Sequence, residues 1–352
     1  MKCIAIACAT LAAAACASPQ TSRPVVASTA LALEQQRQSL FVLESRAADY
    51  DRVYGIAERL YLANTELCAR TAPRLGIKFE NLNDYGRDFR EAARSLWGVG
   101  DRPSISFIAE QSPAAAAGLQ LRDQLLSING RAIQPGRRSS RQASELLREA
   151  AEAGRVVLQV QRGAETLTAS ITPQPSCAYQ FLLVDGDDLN AAADGRTIIL
   201  NRGMLRFVRS DEELALVLGH ELAHNAMRHI ESMQTNAMMG TIGGAMLDVL
   251  AAAGGVNTGG AFADAGGDIG RMMFSQEFES EADYVGLYFT ARAGFDINSA
   301  EQFWRRMAAE NPRGIRLAYT HPNTAERYLG LAATRAELDA KLAAGLPLRP
   351  NM

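Results

Sequence analysis

The sequence predicts an α+β fold: a mainly helical body with a small β-sheet, and a compact β-module inserted after the first long helix. Three observations carry this. Apolar and aromatic residues from Leu40 to Cys68 recur at steps of three and four, the period of a helix face. From Ser104 to Arg162 the pattern changes to short alternating runs with turn signals, the period of strands. Gly219 to His229 then returns to a helical period and holds three of the chain's four histidines. At 352 residues, 47% of them hydrophobic and 21% charged, the chain has room for two cores. A net charge of −3 offers no electrostatic footing for nucleic acid, and that class of partner is excluded.

The elements follow in chain order. Lys2 precedes the almost wholly apolar run Ile4–Ala15, too short for a mature membrane span, so residues 1–15 read as an export signal. The run Ala13-Ala14-Ala15-Cys16 resembles a bacterial lipobox, with Ala13 where leucine is commoner. That resemblance implies a lipid on Cys16 as membrane anchor and a place on the periplasmic side of the cell envelope. The outer membrane is implied because no aspartate follows Cys16. Residues 16–33, rich in Ser, Thr, Pro and Ala, read as a flexible tether. Over 34–75, the stripe of Leu40, Leu43, Ala47, Tyr50, Tyr54, Ala57, Tyr61, Asn64 and Cys68 predicts one long helix ending near Pro73 and Gly76. A single stripe must be buried by something else, here the later domain.

Residues 76–100 carry little pattern. Beyond them, Ser112-Pro-Ala-Ala-Ala-Ala-Gly118-Leu119 and Asp123-Gln-Leu-Leu-Ser-Ile-Asn129-Gly130-Arg131 precede a helix over Ser139–Ala153 and a strand over Val156–Arg162. These runs resemble a PDZ domain of the bacterial protease type over residues 98–172, with Arg122 where that family usually has glycine. The resemblance implies a groove that takes a peptide or a protein C-terminus as an added strand. Trp97-Gly98-Val99-Gly100 is the candidate carboxylate-binding loop. Cys68 and Cys177 flank this module and are the two cysteines left once the signal and Cys16 are set aside; in an oxidising compartment they predict one disulfide.

In residues 174–346, Tyr179–Val184 and Thr197–Leu200 read as strands. The next helix is signalled by Ser210 and Glu213 as a capping box, and Leu214, Val217, Leu218 and Leu222 form its apolar face. It carries His220, Glu221 and His224 in H-E-x-x-H spacing, which puts both imidazoles on one face where they could grip one zinc ion. Glu221 beside them suits general base and then acid work on water. A third ligand is needed, and by chemistry alone Glu277, Glu279 and Glu281 compete. His229 lies five residues past His224 with no glycine between, unlike a metzincin, and reads as a hydrogen-bonded helix histidine. Met238 to Gly270 is rich in Gly, Ala and Met; Asp248 and the Gly-Gly pairs argue against a membrane span and for a mobile helical lid or lipid-touching loop.

The stretch Asn190 to Leu205, the run Ser275-Gln-Glu-Phe-Glu279-Ser-Glu281-Ala-Asp283 and the segment Thr320-His321-Pro322 to Arg327 together resemble the zinc peptidase family of HtpX and the CAAX prenyl proteases, its soluble periplasmic members above all. The resemblance implies a zincin-type fold with one Zn²⁺ per chain on His220, His224 and Glu279. It implies that Asp283 orients a ligand histidine, that His321 reaches the zinc or the substrate oxyanion, and that Arg327 braces the site. Gln276 replaces the family arginine. The activity implied is a zinc metalloendopeptidase of the cell envelope, acting on unfolded or misassembled envelope proteins. The rival expectation is a lipoprotein adaptor or chaperone with a PDZ module, its zinc site closed by His321.

Overall fold

The computed structural model describes residue 21 and residues 24–253, 256–272, 275–310 and 325–351. The expectations for the export signal, Cys16 and His321 lie outside the described residues. In chain order the first half runs α1 (Ser28–Ala63), β1 (Thr71–Arg74), β2 (Ile77–Glu80), α2 (Arg90–Trp97), β3 (Ser104–Ile108), α3 (Pro113–Ala116), β4 (Gln124–Ile128), β5 (Arg131–Ala132), α4 (Ser139–Glu152), β6 (Val156–Arg162), β7 (Glu165–Ile171) and β8 (Gln174–Cys177). The second half runs β9 (Gln180–Val184), β10 (Ala191–Ala193), β11 (Thr197–Asn201), α5 (Arg202–Phe207), α6 (Asp211–Ala226), α7 (His229–Ala253), α8 (Ala261–Met272), α9 (Ser275–Arg292), α10 (Ala300–Glu310) and α11 (Ala325–Ala343).

Two boundaries differ from the sequence reading. Helix α1 starts inside the expected tether and stops at Ala63, well before 75, because Thr71–Arg74 is drawn into a two-stranded antiparallel ladder with β8. The module begins before residue 98: β2 pairs with β3 at the edge of a sheet ordered β2-β3-β4-β6-β7. Its core of Ile105, Leu125, Ile128, Leu158 and Val160 is sealed by Ala143 and Leu146 of α4. The ladder β1-β8 is the double stem on which this module stands, and Cys68 and Cys177, 109 residues apart in sequence, are disulfide-bonded at its base.

The carboxylate-loop expectation is also corrected. Gly98, at φ +63°, ends α2, and Val99 is buried with Leu43, Leu82 and Ala93, so this stretch closes a small satellite core. The segment that leads into the edge strand is Leu75-Gly76, where Gly76 has φ +71° and an added Cβ would lie 2.4 Å from the Ser112 Cβ. Arg122 does adopt the left-handed backbone, φ +73°, that a glycine would hold without strain. Its guanidinium lies 4.6 Å from the centre of the Trp97 ring, a contact that offsets part of that cost.

Helix α1 joins the two halves. Tyr54 packs edge-on against Phe107 of the module and Phe181 of the body, with ring centroids 5.7 and 5.4 Å away. Lower down, Val53, Ile56, Leu60 and Tyr61 enter the body's core beside Leu214, Leu218 and Leu222 of α6, Val285 and Phe289 of α9 and Phe303 of α10. A three-stranded sheet, β10-β11-β9, lies against α6, with β9 and β11 parallel and β10 antiparallel at one edge. Strand β10 is three alanines, which carry no strand signal; pairing with Ile198–Leu200 makes the strand. In the stretch Met238 to Gly270, expected as a mobile helical lid or lipid-touching loop, the described residues include most of two helices, α7 and α8, packed on each other.

Candidate metal centre

Helix α6 begins as the sequence indicates, with the Ser210 side chain accepting a bond from the Glu213 N–H. The capping box is only half made. The Glu213 carboxylate turns instead to the Arg209 N–H, 2.7 Å away, and to a two-pronged pair with Arg306, at 2.9 and 2.6 Å. Every residue from Glu213 to Ala226 is buried, so the helix runs through the middle of the body. At its far end the Asn225 side chain accepts from the Gly195 N–H and its backbone carbonyl accepts from the Tyr179 hydroxyl, which ties the sheet to the histidine face.

Helix α9 crosses α6 at a point where neither can carry a side chain. A Cβ on Gly219 would sit 2.9 Å from the Gly286 carbonyl oxygen, and one on Gly286 would sit 2.9 Å from both the Cα and the N of His220. Backbone contact at this crossing brings Asp283 and Glu279, about one and two turns back along α9 from Gly286, over the two imidazoles. The Nε2 atoms of His220 and His224 are 3.2 Å apart, and carboxylate oxygens of Glu279 lie 3.5 Å from the first and 3.3 Å from the second. Ligands at 2.0 to 2.1 Å around a tetrahedral zinc are about 3.3 to 3.4 Å from one another. Three buried donors thus stand at the spacing that one ion requires, and they form the group of this kind among the described residues.

The candidates left open by chemistry are now separated. Glu277 is exposed, Glu281 points to His229, and Glu279 faces the histidines. Each imidazole is held from behind by its other nitrogen. His220 Nδ1 lies 3.1 Å from Asp283, and Arg327 clamps that carboxylate through two bonds of 2.6 and 2.7 Å. His224 Nδ1 lies 3.0 Å from His229 Nδ1, whose Nε2 is 2.9 Å from Glu281. The second relay went unread in the sequence. Its signal was the five-residue step from His224 to His229, which places the third histidine just past the helix end, at the start of α7. Left-handed Arg228, φ +59°, makes the turn that folds it back.

Electrostatics follow from burial and partners. Burial works against charge on Asp283, but Arg327 and the His220 bond overcome it and hold the carboxyl below its usual range. Burial likewise opposes charge on His220, yet Asp283 and Glu279 raise its pKa to about 10, so a metal ion would have to displace a proton. Burial and the neighbouring His224 push His229 down to about 4, which keeps it a neutral hydrogen-bonding link. Glu221 is buried on the same helix face region, 3% exposed. The donor set of two histidines, one glutamate and an adjacent second glutamate fits a zinc ion.

Comparison with known proteins agrees with this arrangement. The model of Peptidase family M48 matches residues 151–335, and that of the PDZ domain matches residues 73–172. Where the two overlap, β6 and β7 pair within the module's sheet. The Beta-barrel assembly-enhancing protease of Escherichia coli O157:H7 is 30% identical over 155 residues, 41% of this chain and 32% of that protein. The Mitochondrial metalloendopeptidase OMA1 of Schizosaccharomyces pombe is 34% identical over 138 residues, covering 38% and 39%. The chain thus spans about a third of the length of the curated relatives it matches. A solved HtrA3 PDZ domain bound to a phage-derived ligand aligns at 24% identity over 30% of this chain and 88% of that one, at a TM-score of 0.22. With the family model covering more than half of the residues, including both histidines, Glu279 and Arg327, the chain belongs to peptidase family M48.

Proposed function

We propose that this chain is a zinc metalloendopeptidase of the cell envelope that hydrolyses peptide bonds in unfolded or misassembled envelope proteins. The observation that carries the reading is the donor triangle of His220, His224 and Glu279 with Glu221 beside it on the motif helix. These three residues would hold the ion. Zinc, when bound, supplies Lewis acidity toward a peptide carbonyl and toward water. The Glu221 carboxylate takes a proton from the attacking water and returns it to the leaving amide nitrogen. Asp283 with Arg327, and His229 with Glu281, keep the two imidazoles in the orientation and tautomer that aim each Nε2 toward Glu279. Edge strand β10, pairing with β11 on one side, offers backbone groups to an extended substrate. The assignment of His321 to the oxyanion or the ion rests on the family pattern.

The module supports a second contact with substrate. Strand β2 ends the sheet with α4 alongside, the arrangement in which an extended peptide or a C-terminus adds as a strand. The relatives named as assembly-enhancing proteases make envelope proteins the substrate class to test first. A lipid on Cys16 would hold the enzyme at the membrane, probed by labelling with a palmitate analogue in wild type and in Cys16→Ala. The decisive experiment is Glu221→Gln. Zinc content should be retained while casein cleavage falls by about 10²- to 10⁴-fold. A wild type that never cleaves, with Glu221→Gln complementing a deletion fully, would instead establish the adaptor role.

A further inference from the structure

We propose that the α7-α8 hairpin is a membrane-docking element that lays the outer face of α7 into the surface of a lipid bilayer. Helix α7 is long and apolar enough to cross a membrane by length and composition. The two helices pack antiparallel on small residues. A Cβ on Gly244 would fall 1.9 Å from the Phe262 carbonyl oxygen, and one on Gly266 would fall 2.2 Å from that of Gly240. Large apolar side chains point the other way: Met246, Val249 and Leu250 are 64, 69 and 67% exposed, and Met238, Met239 and Leu247 extend the patch. At 100° per residue these six cover about half the circumference of α7. Small residues inside and large ones outside is the arrangement of helices whose solvent is lipid.

The occupant follows from the breadth and the charge of this face. A protein groove covers a stripe about 100° wide, whereas this surface is wider and without a stripe edge. Between Glu231 and Asp264 the one ionisable residue is Asp248. Its carboxylate accepts bonds from the Thr258 hydroxyl and the N–H groups of Phe262 and Ala263, so it caps α8 and stays within the hairpin. Helix α8 exposes Asp264 and Asp268. An apolar helix paired with an acidic one lies in a membrane surface; it does not cross it. No lysine or arginine lies between Arg228 and Arg271, so docking should need no anionic lipid. Because α7 begins at His229, against ligand His224, docking would set the metal centre close to the bilayer.

The test stands apart from catalysis. In the full chain, Leu250→Trp and Ala265→Trp are compared with wild type, whose Trp97 and Trp304 supply the background, on phosphatidylcholine vesicles with brominated acyl chains. The added fluorescence of Leu250→Trp should shift to the blue and be quenched, while that of Ala265→Trp is not. An N-terminal lipid would bring both variants to the vesicles alike, so the contrast between them reports the hairpin. Leu247→Asp with Leu250→Asp should weaken hairpin partitioning on the order of a hundredfold, each leucine contributing tenfold or more. Equal quenching at both positions, or at neither, overturns the proposal. So does a dimer in lipid-free solution that Leu247→Asp with Leu250→Asp dissolves, which would assign this face to a second copy of the chain.

Discussion

Gly286→Ala tests whether the crossing of α6 and α9 sets the metal centre. The added methyl would lie 2.9 Å from the His220 Cα and N and 3.1 Å from the Gly219 carbonyl carbon, all backbone atoms that cannot rotate away. Ordinary carbon contacts are about 3.5 to 4.0 Å, so the helices must part by roughly 0.6 Å or more. Ligand positions tolerate about 0.2 Å. Glu279 rides on α9 and both histidines on α6, so the opening falls directly on the donor distances of 3.3 and 3.5 Å. Overpacking of this kind costs about 1 to 3 kcal/mol, which corresponds to a fall in Tm of about 2 to 10 °C. Zinc affinity should drop on the order of tenfold or more, read by competition with a chromogenic chelator. Gly330→Ala, at an exposed position of α11 where an added Cβ meets nothing within 4 Å, should leave zinc affinity unchanged and is the control. If Gly286→Ala bound zinc as tightly as wild type, the argument that backbone contact positions Glu279 would be refuted.

Other perturbations bear on the groups behind the ligands. Arg327→Met strands the buried Asp283 carboxylate and should cost about 3 to 5 kcal/mol in thermal or urea unfolding; a loss below 1 kcal/mol would count against the clamp. His229→Ala and Glu281→Ala should each weaken zinc binding about 10- to 100-fold, and the double variant should be little worse than the worse single; additive losses would mean the two do not act in series. Glu213, held below its usual range by Arg306 and the Arg209 N–H against the opposing effect of burial, sets an acid limit. Its folded pKa is depressed, so its contribution is present above the unfolded value near ~4.3 and is lost as pH falls through the folded one. The stability gap between wild type and Glu213→Gln should therefore be full at pH 7 and close below about pH 4, by urea unfolding; a gap that persists in acid would exclude this linkage.

The H-E-x-x-H spacing was legible because helical periodicity alone puts His220 and His224 on one face, and Leu214, Leu218 and Leu222, on the opposite face, declare the helix packed into the core. The module's strands and the stripe of α1 were legible for the same reason: alternation and three-four steps are local properties. What the chain's order could not express is contact between distant segments. Choosing Glu279 over Glu277 and Glu281 on physical grounds required the crossing at Gly219 and Gly286. The His229 link required the turn at Arg228. Strand β10 exists because Ala191–Ala193 meets β11, and β2 joins the module because Ile77–Glu80 pairs with β3 across residues that look patternless. Residue types and their periods thus settled which chemistry the chain carries; long-range backbone approach, invisible to any period, decided which side chains meet and at what distance.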